Sequence, residues 1–174
     1  PLYSSAASDV YKRQVGGDDV LDNIFGLESS ELFSKVERIQ IVACGTSLHA
    51  GRVAANWLSS ISELPCQIDY ASEYRYKNPH VDKNSLLITI SQSGETADTL
   101  AALRFAKEKD YLGSVAICNV PTSSLARESD FVLFTNAGPE IGVASTKAFT
   151  TQLAGLMLLA LSLAKSRDLN PMLR

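Results

Sequence analysis

Apolar residues gather in five short runs: IQIVA at Ile39–Ala43, QIDY at Gln67–Tyr70, LLITI at Leu86–Ile90, SVAIC at Ser114–Cys118 and FVLF at Phe131–Phe134. They are nearly continuous rather than alternating with polar positions, the pattern of parallel strands buried on both faces. Between them, Thr46–Ser60, a short piece at Ser72–Tyr76, Thr96–Lys109 and Ser124–Glu128 read as helices, and a long helix is expected from about Thr146 to Lys165. Strand–helix alternation of this kind predicts an α/β fold. The expected architecture is a doubly wound, five-stranded parallel sheet in flavodoxin-like order 2-1-3-4-5, a three-layer αβα sandwich.

Two helices carry more apolar surface than one sheet face needs. In Thr46–Ser60 the row Leu48, Gly51, Ala55 and Leu58 is expected to face the sheet, while Ala50, Val53 and Trp57 form a second row on the opposite side. In the last helix Leu153, Leu156, Met157, Leu158, Leu159, Leu161 and Leu163 point all round the axis. A helix apolar all round must be covered on every side. The expectation is therefore a covering surface from outside this chain, and an intact protein that is at least a homodimer.

Composition narrows the class. At 174 residues, 45% hydrophobic and 20% charged, the chain fits one domain with a sizeable core. A net charge of −3 offers no bulk attraction to nucleic acid or anionic lipid, so any anion site must be local. The apolar stretch Leu153–Ala164 is shorter than the roughly 20 residues of a membrane span, so no membrane is expected. Three cysteines, Cys44, Cys66 and Cys118, are too far apart for a metal knuckle and odd in number for a disulfide framework. A cytoplasmic, reducing setting follows. At the start, DVYKRQ at Asp9–Gln14 reads as the translated end of a sequencing adapter. Residues 1–14 are accordingly read as a disordered scar, and residues 15–174 as one domain of a protein cut at its C-terminal side.

Ligands of open parallel sheets bind beyond the carboxyl ends of the strands. Two of those ends are rich in hydroxyls: Cys44-Gly45-Thr46-Ser47 after the first strand, and Ser91-Gln92-Ser93-Gly94-Glu95-Thr96 after the third. Each sets a glycine and several neutral donors at a helix start, where free N–H groups and the helix dipole favour an anion. A single Ser or Thr there is ordinarily an N-cap, the competing reading for Thr46, and Glu95 can simply complement the dipole of its own helix. In the second loop four polar donors, Ser91, Gln92, Ser93 and Thr96, exceed what one cap uses. Neither GxGxxG nor GxxxxGK[ST] is present, so dinucleotide and nucleoside-triphosphate readings lack their fingerprint. Neither loop has a basic residue, which suits a phosphate monoester held by neutral groups.

Four segments together carry a family resemblance: ACGTS at Ala43–Ser47, ITISQSGETADT at Ile88–Thr99, AICNVPTSSLARESD at Ala116–Asp130 and EIGVASTKAFTTQL at Glu140–Leu153. They resemble the first sugar-isomerase (SIS) half of the isomerase module in the glutamine–fructose-6-phosphate aminotransferase family, over about Leu32 to Lys165. SQSGET marks the wider SIS superfamily; its combination with EIGVASTKAFT is narrower. The resemblance implies that Ser47, Ser91, Gln92, Ser93 and Thr96 cradle a phosphate. It implies that Thr46 lies near the reacting end of the sugar, and that Val143, Ala144 and Ser145 line the same pocket. It further implies fructose 6-phosphate and glucosamine 6-phosphate as ligands, with no cofactor and no metal. The glutaminase and the second SIS half, which hold the catalytic groups in that family, lie outside these residues, so binding without turnover is expected.

Other residues invite roles that their surroundings do not support. His49 fits a helix surface or core as well as a pocket. Lys147 suggests a Schiff base, although a lysine at a helix start is usually solvated. Glu140 has no evident partner. Arg75 and Lys77, beside Tyr74 and Tyr76, read as a surface or interdomain patch and not as a nucleic-acid site. His80 is too far from His49 to share a metal. The alternative function is a phosphosugar-sensing regulatory domain, which would be accompanied by a basic helix-turn-helix segment; none is visible in the sequence.

Overall fold

In the computed structural model, which describes residues 15–16, 19–20, 24–25, 28–138 and 146–169, the five apolar runs form one parallel sheet. In chain order the elements are β1 (Val15–Gly16), β2 (Asp19–Val20), α1 (Ser29–Ser34), β3 (Arg38–Ala43), α2 (Gly45–Ile61), β4 (Cys66–Tyr70) and α3 (Ala71–Lys77). They continue with β5 (Ser85–Ser91), α4 (Ala97–Lys107), β6 (Gly113–Cys118), α5 (Ser124–Glu128), β7 (Phe131–Phe134) and α6 (Thr146–Ser166). The large sheet runs β4-β3-β5-β6-β7, the expected order 2-1-3-4-5. Its register places Ala43 opposite both Tyr70 and Ile90, Ser91 opposite Cys118, and Cys118 opposite Phe134. All five carboxyl ends thus finish along one edge.

Side chains alternate between two cores, as the pleat requires. On one face Ile39, Ile41, Leu86, Ile88, Ile90, Val115 and Ile117 meet Phe33 of α1, Leu48 and Leu58 of α2, and Leu156, Leu159 and Leu163 of α6. On the other, Val42, Leu87, Ala116 and Cys118 meet Tyr74 of α3, Leu100 and Leu103 of α4 and Leu125 of α5. The central strands β5 and β6 are buried throughout, whereas the edge strands β4 and β7 are largely half-buried. Each fully buried Leu or Ile contributes about 1.5–3 kcal/mol of hydrophobic stabilisation.

Three sequence expectations are corrected. The second row of α2 does not stay outward: Ala50 is fully buried, with Ala54 beside it, in the core that α2 shares with α6. Of that row Val53 is exposed and Trp57 half-buried, and Ala55, expected on the sheet, is only half-buried. The last helix is covered mainly from within the chain, by α1, α2 and the sheet, because its apolar circumference serves several neighbours at once. Leu153, Met157 and Leu161 are the half-buried remainder. With 21 residues α6 is long and apolar enough to cross a membrane by length and composition, yet most of it is buried in this fold, which marks a core helix. Finally, the pattern did not reveal the elements before β3. The hairpin β1–β2 and helix α1 are too short for periodicity to register, although Phe25 and Phe33 pack edge-to-face there with centroids 5.5 Å apart. Residues 1–14 lie outside the described residues.

Candidate functional site

Two turns meet at the carboxyl edge of the central strands β3 and β5. After β3 the chain passes through extended Cys44 into Gly45, whose φ of +55° is open to glycine without strain. A Cβ at Gly45 would meet nothing within 4 Å, so there is open space over the first turn of α2. Thr46 is exposed there, while Ser47 is buried. After β5, Gly94 turns with φ of +66° and presses on the loop beyond β6; a Cβ there would stand 2.2 Å from Ser123 Oγ. Only glycine permits that approach.

The hydroxyls of the second turn are organised among themselves. Ser91 Oγ accepts from Gly94 N at 3.1 Å and shares a hydrogen bond with Thr96 Oγ1 at 3.0 Å; Ser93 Oγ accepts from Glu95 N at 3.2 Å. In the Ser91–Thr96 pair only one hydroxyl proton is used, so the other remains to donate, whichever way the pair is oriented. Ser93, as an acceptor, also keeps its proton. Thr96 stands at the N-cap position of α4, but its side chain makes no capping hydrogen bond, nor does that of Cys44 at the N-cap of α2. The competing reading as simple caps therefore fails for Thr46 and Thr96: Thr96 spends its hydroxyl on Ser91, and Thr46 already lies inside α2. The unsatisfied first-turn N–H groups keep their affinity for an anion.

Glu95 behaves differently from expectation. Its carboxylate accepts from Ser124 N at 2.7 Å, at the start of α5 rather than of its own helix. That backbone donor, joined by the Ser124 hydroxyl, holds the Glu95 carboxyl below its ordinary range. The neighbouring loop closes the wall. Asn119 accepts from Ala137 N at 2.7 Å and Thr135 Oγ1 at 3.2 Å and donates to Gly138 O at 3.0 Å, while Asn119 N donates to Gln92 O at 3.1 Å.

The structure thus brings Ser91, Gln92, Ser93 and Thr96 together in one turn and sets Thr46 and Ser47 on the adjacent strand end of the same edge. Val143, Ala144, Ser145 and Glu140 lie outside the described residues. His49 is on the exposed side of α2, and His80 pairs with Asp82 in a distant loop at 3.4 Å. The supposed patch around α3 divides: Tyr74 is fully buried and bonded to Tyr111 at 2.6 Å, while Arg75 stacks over exposed Tyr76 and Lys77 pairs with Asp69. Lys147 is half-buried in the first turn of α6. Among the described residues no cluster of His, Cys, Asp or Glu could hold a metal. One residue the sequence reading missed is Gln152 of α6, which donates to Ser47 Oγ at 3.0 Å from 105 positions along the chain. Its signal was an amide bordering the long apolar run Leu153–Leu161. Neutral hydroxyls, free protons and two uncapped helix starts suit recognition of an anion; the described part of the edge holds no nucleophile–base pair.

The model of the SIS domain family matches residues 32–162. The chain is 62% identical over 154 residues to the glutamine–fructose-6-phosphate aminotransferase of Pseudomonas putida, and 60% identical over 145 residues to that of Escherichia coli. These matches cover 88% and 83% of this chain but 25% and 24% of those proteins, so the chain spans about a quarter of the length of the curated relatives it matches. Among solved structures, the C-terminal domain of glucosamine-fructose-6-phosphate aminotransferase from Francisella tularensis superposes with a TM-score of 0.90 at 47% identity, covering 95% of this chain and 46% of that one. A glucosamine-6-phosphate deaminase from Thermotoga maritima shares the fold, with a TM-score of 0.68 at 21% identity, over 98% of this chain and 50% of its own.

Proposed function

The chain belongs to the SIS domain family, and from that premise we propose that it is the first SIS half of the isomerase module of a glutamine–fructose-6-phosphate aminotransferase. In this reading it holds fructose 6-phosphate, and the product glucosamine 6-phosphate, at the carboxyl edge of its sheet during amino-sugar synthesis. The phosphate rests on Ser47, Ser91, Gln92, Ser93 and Thr96. The carbonyl end lies toward Thr46 and the stretch Val143, Ala144 and Ser145. No cofactor or metal takes part. The chain by itself binds and does not turn over, the chemistry requiring the glutaminase and the second SIS half. The intact protein is cytoplasmic and a homodimer, with the Val53 and Trp57 side of α2 at the contact.

The observation that carries the reading is the uncapped start of α4. Thr96 occupies the cap position yet spends its hydroxyl on Ser91, leaving the first-turn N–H groups without a cap and one hydroxyl proton of the pair uncommitted. Such donors fit the three oxygens of a phosphate monoester, whose charge roughly doubles the strength of each hydrogen bond. Titration calorimetry of the chain with fructose 6-phosphate and with unphosphorylated fructose tests it. Binding of the phosphate ester alone is expected; equal binding of both sugars, or none of the ester, overturns it.

A further inference from the structure

Ser47 is 8% exposed and Gln152 only 2%, and between them runs a buried hydrogen bond from Gln152 Nε2 to Ser47 Oγ. The other end of the same amide, Oε1, is buried without a partner among the described residues. An unpaired buried amide oxygen is destabilising, and a side chain of the same shape without polar atoms would avoid that cost. Packing of α6 therefore does not account for an amide at this position. Its effect on Ser47 does. By filling an acceptor site on Oγ, the Nε2–H leaves the single hydroxyl proton of Ser47 to be donated elsewhere.

We propose that Gln152 is a positioning residue: its amide holds the Ser47 hydroxyl as a donor toward the anion at the carboxyl edge, linking α6 to the first turn of α2. This rests on the phosphate reading above. It also gives α6 a part in ligand affinity in addition to its part in the core. A carboxylate at 152 would reverse the arrangement, since it can only accept and would draw the Ser47 proton toward itself.

The test is a double-mutant cycle read by calorimetry with fructose 6-phosphate and, separately, inorganic phosphate, on the chain and its Ser47→Ala variant. Gln152→Met, close in shape, is expected to weaken binding about tenfold in the parent, the scale of one misdirected charge-assisted hydrogen bond. Gln152→Glu should weaken it further, even if both variants melt at the same temperature. In the Ser47→Ala background Gln152→Met should leave affinity unchanged, whereas the carboxylate of Gln152→Glu repels the anion with or without Ser47. Equal losses from Gln152→Met with and without Ser47, or a Glu variant that binds as well as the parent, would overturn the inference while leaving the phosphate reading intact. A parent that binds neither ligand would overturn both.

Discussion

The loops that follow β5 and β6 are neighbours of similar composition, and each leads into a helix, but their hydroxyls are used in opposite ways. After β6, Ser123 caps its own helix by accepting from Ala126 N at 3.4 Å, Asn119 is tied to Thr135, Ala137 and Gly138, and Arg127 donates to the Thr122 carbonyl. After β5, Ser91, Ser93 and Thr96 bond to one another and to their own turn, and α4 is left uncapped. At the start of α5 the backbone donors are committed, Ser124 N to Glu95, Leu125 N to the Gly94 carbonyl and Ala126 N to Ser123 Oγ, so that helix start offers them to no anion. A loop that leaves protons and N–H groups uncommitted at a helix start is poised for an anion. The contrast teaches that Ser and Thr content alone does not mark a binding loop; where the hydrogen bonds end does.

Removing the donors of the loop after β5 should have the largest effect. Ser93→Ala with Thr96→Ala deletes two charge-assisted hydrogen bonds worth roughly 1.5–3 kcal/mol each, so fructose 6-phosphate affinity should fall by at least about 100-fold in calorimetry. Folding stability should change by only about 1–2 kcal/mol, because Ser93 serves the exposed Glu95 N–H and buried Ser91 keeps its bond from Gly94 N when Thr96 is lost. A variant that binds like the parent would reduce the loop to ordinary turn chemistry.

Next in size is the contact between the two loops. Gly94→Ala forces a side chain into a left-handed backbone and against Ser123, with Cβ atoms 2.5 Å apart. Strain and overpacking together should cost about 2–4 kcal/mol in denaturant unfolding. Gly45→Ala makes the sharper comparison. It shares the positive φ but meets open space, so its stability loss should be confined to about 1–2 kcal/mol while ligand binding suffers from the intruding methyl.

Ser123→Ala should be milder, removing one cap for about 0.5–2 kcal/mol and leaving fructose 6-phosphate affinity unchanged. Loss of affinity there would erase the distinction between the loops. Smallest is the acid response of Glu95. Its carboxyl is held low by Ser124, so its contribution is complete above its ordinary value of 4.5 and is lost as pH falls through the lower folded-state value. The difference in melting temperature between the parent and Glu95→Gln should therefore shrink toward acid and be constant at neutral pH.

The fold was legible because buried parallel strands leave continuous apolar runs: the strands predicted at Ile39–Ala43 and Leu86–Ile90 reappear with one or two added residues at their ends. Order 2-1-3-4-5 followed from strand–helix alternation. Helix faces were less legible where a helix has two neighbours. Ala50 is buried because α6 returns across α2, a contact between residues about a hundred positions apart that no local period encodes. The hydroxyl cluster Ser91–Thr96 was visible as composition. Its wiring was not: that Glu95 serves α5, or that Gln152 reaches Ser47, depends on which loops the sheet places side by side.

The central claim, that the loop after β5 receives an anion and the loop after β6 does not, is tested most directly by following backbone amides in a nitrogen–proton correlation spectrum during titration with fructose 6-phosphate. The account predicts saturable shifts at Ser93, Gly94, Ala97 and Asp98, together with Thr46 and Ser47, while Ala126 and Arg127 in α5 stay in place. Shifts centred on α5, or an unmoved Ser93–Asp98 segment at saturating ligand, would contradict it.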